Sequence, residues 1–198
     1  MTEKGFIIVI SAPSGAGKTT ICRQLANKLR KLKYSISCTT RPRRAGERNG
    51  VDYYFATESE FAKTAKKGGF AEWALVHGFH YGTPKKPLER LLDSGYDVIM
   101  DIDVQGGLKI KKAYPGAVMI FVMTPTFREL EKRLRARKKD DDETIARRLR
   151  NARVELKCLP RYEYMVINDK LITAENEVET IITSEHKRIK RNKTPKFE

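Results

Sequence analysis

The chain has 198 residues with 40% hydrophobic and 33% charged side chains, so its length and composition predict one globular domain and exclude an intrinsically disordered chain. No apolar run approaches the roughly 20 residues of a membrane-spanning helix, so no membrane partner is expected. The formal net charge of +15 favours anionic partners such as nucleotides, nucleic acid or phosphate.

The first pattern along the chain is an apolar run, a glycine-rich turn and a helix. Residues 6–10 are apolar and rich in β-branched side chains, which predicts a buried parallel strand. From Lys18 onward, apolar residues recur with helical spacing. The connecting stretch SAPSGAGKTT ends like a phosphate-binding loop, but Ala12 stands where that pattern has its first glycine.

This stretch can still hold phosphates. Gly15 and Gly17 allow the positive φ angles with which backbone N–H groups surround a phosphate chain. Lys18 would bring a positive charge to the β- and γ-phosphates, and Thr19 a hydroxyl to Mg²⁺. The strand before and the helix after argue against an accidental turn. The motif predicts only a nucleoside triphosphate site, since GTPases, transport ATPases, helicases and small-molecule kinases share it.

The next elements are shorter and more polar. Residues 34–40 alternate like a strand, and a polar loop follows. Thr57 and Glu60 have the spacing of a capping box, which predicts a helix start. Two strands are predicted on either side of Gly78. Thr83 followed by proline predicts another helix start.

The second half alternates core strands with helices. Strands are predicted at residues 96–104, 117–123 and 164–169, and a last helix at about 174–190. The acidic residues within 138–143 are interpreted as a helix N-terminus favoured by the dipole and not as a metal site. This alternation predicts an α/β fold whose parallel sheet carries helices on both faces, with ligands at the carboxyl ends of the strands.

Several polar side chains lie where they could choose the second substrate. Ser37, Arg41, Arg44 and Tyr53 share one loop region, and paired arginines with hydroxyls suit a phosphate monoester. A solvated basic loop is the alternative interpretation.

Asp101 and Asp103 have the spacing of one strand face. Two carboxylates on a buried strand are unfavourable unless they meet a cation or hydrogen-bond donors. The alternative is that they cap the following helix.

Together these segments resemble the guanylate kinase family, the ATP:GMP phosphotransferases. The resemblance runs from about residue 4 to beyond residue 182 and rests on SAPSGAGKTT, TTRPRRAGERNGVDYYF, FAEWALVHGFHYGT, DIDVQGG, RLRARKKDDDETIARRL and VIND, in that order. Alanine at the position of Ala12 is familiar in bacterial members, so the resemblance implies an intact phosphate loop.

The resemblance implies a P-loop three-layer α/β fold in residues 4–184 with a parallel core sheet, followed by a basic tail at 185–198. A small GMP-binding insert would occupy about residues 34–83 and a lid about residues 126–151. The insert and the lid would close on the two substrates.

The resemblance also implies roles for individual positions. The ATP phosphates would be held by Ala12, Pro13, Ser14, Gly15, Ala16, Gly17, Lys18 and Thr19. The GMP phosphate would be held by Ser37, Arg41, Arg44, Tyr53 and Tyr81. Guanine would be recognised by Glu72, Thr83 and Asp103. The catalytic cations would be Lys18, Arg133, Arg137 and Arg148. Mg²⁺ would lie near Thr19 and Asp101, with Asp101 acting through water.

Three other interpretations stay open. A guanylate-kinase-like scaffold without catalysis would lack the phosphate loop. A kinase of another substrate, such as a ribose bisphosphate, would not need Glu72 and Asp103. A nucleic-acid-binding ATPase is suggested only by the charge, so nucleic acid is not expected as a partner. The choice between a monomer and a homo-oligomer stays undecided.

The remaining expectations concern location and histidines. Cys22, Cys38 and Cys158 form no metal-ligand pattern and, with no secretory signal, predict a cytoplasmic protein. Because a GMP phosphate oxygen is already anionic, the reaction needs no general base. The three histidines, His77, His80 and His186, are therefore predicted to be structural or exposed.

Overall fold

The computed structural model describes residues 4–76, 78–136 and 141–191. Within these ranges the strands are β1 (Ile7–Ser11), β2 (Leu32–Tyr34), β3 (Cys38–Thr39), β4 (Tyr54–Phe55), β5 (Phe70–Val76), β6 (Phe79–Pro84), β7 (Asp97–Asp101), β8 (Val118–Met123) and β9 (Tyr164–Ile167). The α-helices are α1 (Lys18–Lys28), α2 (Glu58–Lys66), α3 (Lys85–Asp93), α4 (Val104–Ala113), α5 (Phe127–Ala136), α6 (Asp142–Leu156) and α7 (Leu171–His186). None of the helices in the described ranges is long and apolar enough to cross a membrane.

The core is a parallel sheet in the order β2-β7-β1-β8-β9. All five residues of the central strand β1 are buried, because helices cover both faces of the sheet. Ile8 and Ile10 pack with α1 and α7 on one face, while Ile7 and Val9 pack with α3 and α4 on the other. The predicted three-layer α/β architecture with a parallel sheet is confirmed.

A second sheet, in the order β4-β3-β6-β5, lies within the stretch predicted to be the insert. Its largest contact is the antiparallel hairpin of β5 and β6, which turns at Gly78 with φ 83°. Helix α2 covers this sheet through Phe61, whose ring stacks on Phe70 at 4.5 Å between centroids. The predicted capping box of Thr57 and Glu60 is present at the start of α2.

The structure corrects the prediction of a single strand at residues 34–40. Tyr34 ends β2 in the core sheet, whereas Cys38 and Thr39 form β3 in the second sheet. Both residues of β3 are buried, so its side chains are covered on both faces of the second sheet. The chain therefore leaves one sheet and joins the other within four residues.

Two other boundaries also differ. Strand β7 ends at Asp101, and Asp103 is the N-cap of α4, accepting a hydrogen bond from the backbone N–H of Gly106 at 3.0 Å. The capping alternative is thus confirmed for Asp103, and the shared strand face is wrong. Thr83 lies inside β6 and Pro84 occupies the N-cap of α3, so Thr83 does not start that helix.

The helix ends in the second half of the chain differ less from their predicted positions. Helix α7 ends at His186, earlier than predicted, and a short 3-10 helix, Ile189–Arg191, follows. Thr126 and Glu129 have the spacing of a capping box before α5. The Thr126 hydroxyl accepts a hydrogen bond from the backbone N–H of Glu129, but the Glu129 carboxylate pairs with Arg133, so only half of the capping box forms. The acidic start of α6 is confirmed at Asp141, its N-cap.

Candidate active site

A cavity of about 300 Å³ opens where the carboxyl ends of β1 and β7 face the second sheet. It brings together most of the side chains that the sequence analysis selected from distant segments. Those that line it are Ala12, Pro13, Ser14, Gly15, Gly17, Lys18, Thr19, Ser37, Arg44, Tyr53, Glu72, Tyr81, Asp101 and Asp103.

Other predicted residues do not line this cavity. Ala16 and Thr83 are fully buried behind it. Arg41, Arg133 and Arg148 lie outside the cavity lining in this conformation. Arg137 lies outside the described residues.

The phosphate loop has the geometry that the motif predicts. Gly15 and Gly17 adopt φ angles of 99° and 94°, which strongly disfavour side chains. A Cβ on Gly17 would lie 2.4 Å from the Asn168 side chain, whose Nδ2 donates to the carbonyl of Ala16 at 2.8 Å. Ala12 is buried in the hydrophobic core, so its methyl group packs inward. The phosphate loop is therefore fixed by a hydrogen bond from Asn168, the asparagine of the VIND segment.

The start of α1 is suited to an anion. Gly17 is its N-cap, no side chain caps it, and its first turn holds no acidic residue. The first backbone N–H groups and the positive end of the helix dipole therefore face the cavity without a competing carboxylate. Lys18 projects from this turn, and its Nζ donates to the carbonyl of Ile102 at 3.3 Å.

The residues beside the loop offer oxygen atoms to a cation. Thr19 Oγ1 donates to Asp101 Oδ2 at 2.5 Å, so a hydroxyl and a carboxylate lie together at the end of β7. The described ranges hold no group of three or more His, Cys, Asp or Glu side chains that could bind a metal by themselves. This donor set fits a hard divalent ion that keeps most of its ligands as water and phosphate oxygens.

Glu72 lies on β5 and lines the cavity. It is 6% exposed, and Thr83 Oγ1 donates to its Oε1 at 2.8 Å. Burial, reinforced by the nearby Asp103 carboxylate, raises the pKa of Glu72 to about 7. The hydrogen bond from Thr83 thus fixes the position of the Glu72 carboxylate. The other oxygen, Oε2, lies where a Cβ on Gly106 would be 2.8 Å away, so only glycine fits there without a shift.

The two arginines predicted to hold the GMP phosphate, Arg41 and Arg44, have different surroundings in the loop after β3. Arg41 is 8% exposed, and its guanidinium donates to Glu47 Oε1 at 2.6 Å and to the carbonyl of Pro42 at 2.7 Å. Arg44 projects into the cavity, while its backbone N–H donates to Glu47 Oε2 at 2.8 Å. Glu47 therefore ties both arginines together, a role that the sequence analysis missed because the residue lies in a polar run with no periodicity.

Of the arginines predicted to be catalytic in the lid, Arg133 and Arg148 lie in the described residues, and both contact neighbouring segments. Arg148 Nη1 donates to Ser14 Oγ of the phosphate loop at 3.4 Å. Arg133 donates to Glu129 Oε1 at 2.8 Å and to the carbonyl of Asp169 at 3.1 Å. Helix α5 also packs on the loop, because a Cβ on Gly15 would lie 3.0 Å from the Leu134 side chain.

Glu155 is a cavity residue that the sequence analysis missed. It lies on α6, seven positions after Arg148 and hence on the same helix face, a spacing that could have revealed it. Burial raises its pKa to about 7, although Lys18 opposes this effect. Its Oε2 has no hydrogen-bond partner in the described part of the chain.

The two described histidines, His80 and His186, both contact carboxylates. His80 Nδ1 contacts Glu58 Oε2 at 2.8 Å, and His186 Nε2 contacts Asp97 Oδ2 at 2.6 Å. Neither lines the cavity, as predicted. His77 lies outside the described residues.

Comparisons with known proteins agree with this geometry. A family model described as guanylate kinase matches residues 4–185. The guanylate kinase of Syntrophotalea carbinolica is 48% identical over 185 residues, covering 93% of this chain and 88% of that protein. The guanylate kinase of Carboxydothermus hydrogenoformans is 45% identical over 189 residues, covering 96% and 93%.

The similarity extends to a solved structure. The crystal structure of guanylate kinase from Anaplasma phagocytophilum matches with a TM-score of 0.80 and 30% sequence identity, covering 96% of this chain and 91% of that one. Fold, cavity and sequence similarity thus span the same residues. The chain belongs to the guanylate kinase family.

Proposed function

We propose that this protein transfers the γ-phosphoryl group of ATP to GMP, giving ADP and GDP in purine nucleotide metabolism and GMP recycling. One observation carries the proposal: a single cavity has a phosphate loop at one end and a buried acceptor, Glu72, at the other. A phosphate loop alone fits any nucleoside triphosphate. The buried carboxylate on the facing sheet adds a position for a base that presents N–H donors.

ATP would bind at the phosphate loop. The backbone N–H groups of residues 12–19 would surround its phosphates, and Lys18 would move from the Ile102 carbonyl to the phosphate oxygens. Members of this kinase family generally use a divalent metal ion. We assign Mg²⁺ to this role, held by the Thr19 hydroxyl with Asp101 acting through water. The ion would neutralise charge on the β- and γ-phosphates.

The GMP phosphate would bind beside the second sheet. Ser37, Arg44, Tyr53 and Tyr81 line this part of the cavity and offer hydroxyl and guanidinium donors to a phosphate monoester. Arg41 is directed to Glu47 and lies 5.4 Å from the Tyr53 ring centroid. It would contact the phosphate only by exchanging Glu47 for it, and otherwise it holds the Tyr53 ring in place.

Guanine would meet Glu72. Its N1–H and N2–H₂ groups are adjacent donors, and a carboxylate can accept both in a fork. Thr83 occupies one lone pair of Glu72 and fixes the carboxylate plane. Asp103 lines the same end and would take a further amino hydrogen. Adenine has a lone pair at N1, which would face Glu72 and leave buried groups unpaired.

Phosphoryl transfer would then need positioning and charge stabilisation. The GMP phosphate oxygen is anionic and attacks the γ-phosphorus in line, so no side chain has to remove a proton. Lys18 and the lid arginines, Arg133, Arg137 and Arg148, would neutralise the charge between the nucleotides. Closure of the insert (about residues 34–83) and the lid (about 126–151) would exclude water.

We also propose a cytoplasmic location, which the free cysteines Cys22, Cys38 and Cys158 support.

The decisive experiment is an ADP-release assay with ATP and each nucleoside monophosphate in turn. We expect activity with GMP and little with AMP. Lys18→Ala is the matched control: losing charge stabilisation of about 3–4 kcal/mol should slow turnover by about 10²–10³-fold in a folded protein. Activity with no monophosphate would favour a scaffold, and ATPase activity stimulated by nucleic acid would favour the third alternative.

A further inference from the structure

The carboxylate of Asp101 is bonded on both of its oxygens. Thr19 donates to Oδ2, and the hydroxyl of Tyr34 donates to Oδ1, each at 2.5 Å. Strand register explains the second contact: Tyr34 pairs with Ile99 across β2 and β7, and Asp101 lies two residues further on the same face. The sequence motifs of the family segments do not include Tyr34.

The Tyr34 ring is fixed on several sides. It packs against the hydrophobic cluster beneath α1, and the Arg23 guanidinium lies 5.3 Å from its centroid. The Tyr34 hydroxyl donates to a carboxylate oxygen, which can only accept, so the direction of this hydrogen bond is fixed.

The direction of these hydrogen bonds matters for a cation. Because the Thr19 hydroxyl donates a hydrogen bond to Asp101, the lone pairs of the Thr19 oxygen point away from the carboxylate. A hydroxyl with its lone pairs outward is a suitable ligand for a hard cation. Asp101 can orient Thr19 in this way only while its own carboxylate plane is held, and Tyr34 provides the second fixed point.

We propose that Tyr34 is a positioning residue for nucleotide-bound metal: its hydroxyl fixes Asp101, which in turn orients the Thr19 hydroxyl as the metal ligand. Asp101 would then act on the ion through the Thr19 hydroxyl that it orients. This inference rests on the proposed ATP site.

The test is Tyr34→Phe, which removes one oxygen and keeps the packed ring. Binding of a non-hydrolysable ATP analogue is measured by calorimetry with Mg²⁺ and with EDTA, and bound Mn²⁺ is counted by electron paramagnetic resonance. We expect binding in EDTA to stay within about twofold and the metal-dependent gain to fall by about tenfold, as is usual when a supporting contact of a ligand is lost. In an Asp101→Ala background, Tyr34→Phe should have no further effect.

Tyr164→Phe is the matched control. Its hydroxyl donates to Glu185 at 2.6 Å, so this variant also breaks a tyrosine–carboxylate bond but lies outside the cavity lining. Thermal unfolding of all variants verifies that they are folded. An unchanged metal-dependent gain in Tyr34→Phe, or equal weakening with and without metal, overturns the role of Tyr34. Wild-type protein without metal-dependent ATP binding would instead overturn the proposed function.

Discussion

At the scale of single residues, Glu72 is a cavity residue whose buried carboxylate lowers the stability of the fold when it is ionised. It is 6% exposed, and its one hydrogen-bonded side-chain partner in the described ranges is the neutral Thr83 hydroxyl. Burial raises its pKa from the ordinary 4.5 to about 7. Above pH 7 the folded protein therefore carries a charge that the unfolded chain solvates better. A guanine base would supply the missing donors.

Replacing Glu72 by Gln should separate function from stability. The amide would place a donor against a guanine donor, so kcat/KM for GMP should fall by at least about tenfold. The folded pKa is raised, so the ionised form destabilises the fold above pH 4.5, most fully above pH 7. At pH 8, Glu72→Gln should increase the free energy of unfolding by about 1–3 kcal/mol. Steady-state kinetics and urea unfolding measure the two effects.

Glu89→Gln provides the comparison for Glu72→Gln, since Glu89 is a carboxylate on α3 that does not line the cavity. It should change neither quantity appreciably. A GMP-to-AMP preference that stays the same in Glu72→Gln would remove guanine recognition from Glu72.

The same residue predicts a pH dependence of base binding. Guanosine requires ionised Glu72, which is scarce at pH 6 and abundant at pH 8 when the pKa is about 7. Guanosine affinity should therefore rise by about tenfold between pH 6 and pH 8. Guanosine is used because it has no phosphate to titrate. Calorimetry should also detect proton release on binding at pH 6.5, and Glu72→Gln should bind with no such slope.

At the scale of elements, two of the four arginines in the loop between β3 and β4 have different surroundings. Arg41 is buried against Glu47 and the Tyr53 ring, whereas Arg44 lines the cavity. A guanidinium offers two parallel donors to a phosphate, and an ammonium does not. The proposed GMP phosphate site would therefore depend on the planar side chain of Arg44.

Arg44→Lys should consequently not be conservative. We expect GMP affinity to fall by about five- to tenfold, the effect of one lost charge-assisted hydrogen bond, while ATP affinity changes by less than about twofold. Equilibrium binding of each nucleotide separately gives the answer. Arg43→Lys, next in the chain but outside the cavity lining, should leave both affinities unchanged. If both nucleotides bind equally more weakly to Arg44→Lys, the loop is not a separate GMP site.

At the scale of the whole molecule, three parts of the chain meet around the cavity: the five-stranded core sheet, helices α5 and α6, and the second sheet. The hydrophobic core around the five-stranded sheet holds the phosphate loop. Helices α5 and α6 have a small cluster of their own, comprising Leu130, Leu134, Ile145 and Ala152. The loop before β4 contacts α1 through Arg23 and Asp52 at 2.8 Å, and the small side chain of Ala71 on β5 packs against the core cluster that includes Leu88 and Ile110. Small or polar contacts of this kind can rearrange at low cost in free energy.

The proposed closure has a measurable consequence. A non-hydrolysable ATP analogue and GMP together should reduce the radius of gyration in small-angle scattering more than either alone, because each ligand draws a different segment toward the phosphate loop. Arg148→Ala should reduce the effect of the ATP analogue, since Arg148 lies on the predicted lid and contacts Ser14. Scattering curves that coincide with and without both ligands would exclude closure.

Local patterns in the chain were sufficient for the parallel sheet and the phosphate loop, whereas Glu72 and Tyr81 were selected through the resemblance to the guanylate kinase family. Continuous apolar runs identify buried strands, and Gly-Lys-Thr after a strand identifies an anion site, because both depend on neighbouring residues only. The capping box at Thr57 was likewise predictable from a four-residue spacing.

Tertiary structure alone decided where long-range partners lie. The crossover after Tyr34 puts β2 and β3 in different sheets, which no alternation of side chains can indicate. Asp103 is a helix N-cap and not a strand residue, because β7 ends at Asp101, two residues before it. Tyr34 reaches the site only through packing of separate elements, and Thr83 donates to Glu72 from the neighbouring strand. Such contacts depend on which strands become neighbours, a property of the folded chain and not of any segment in it.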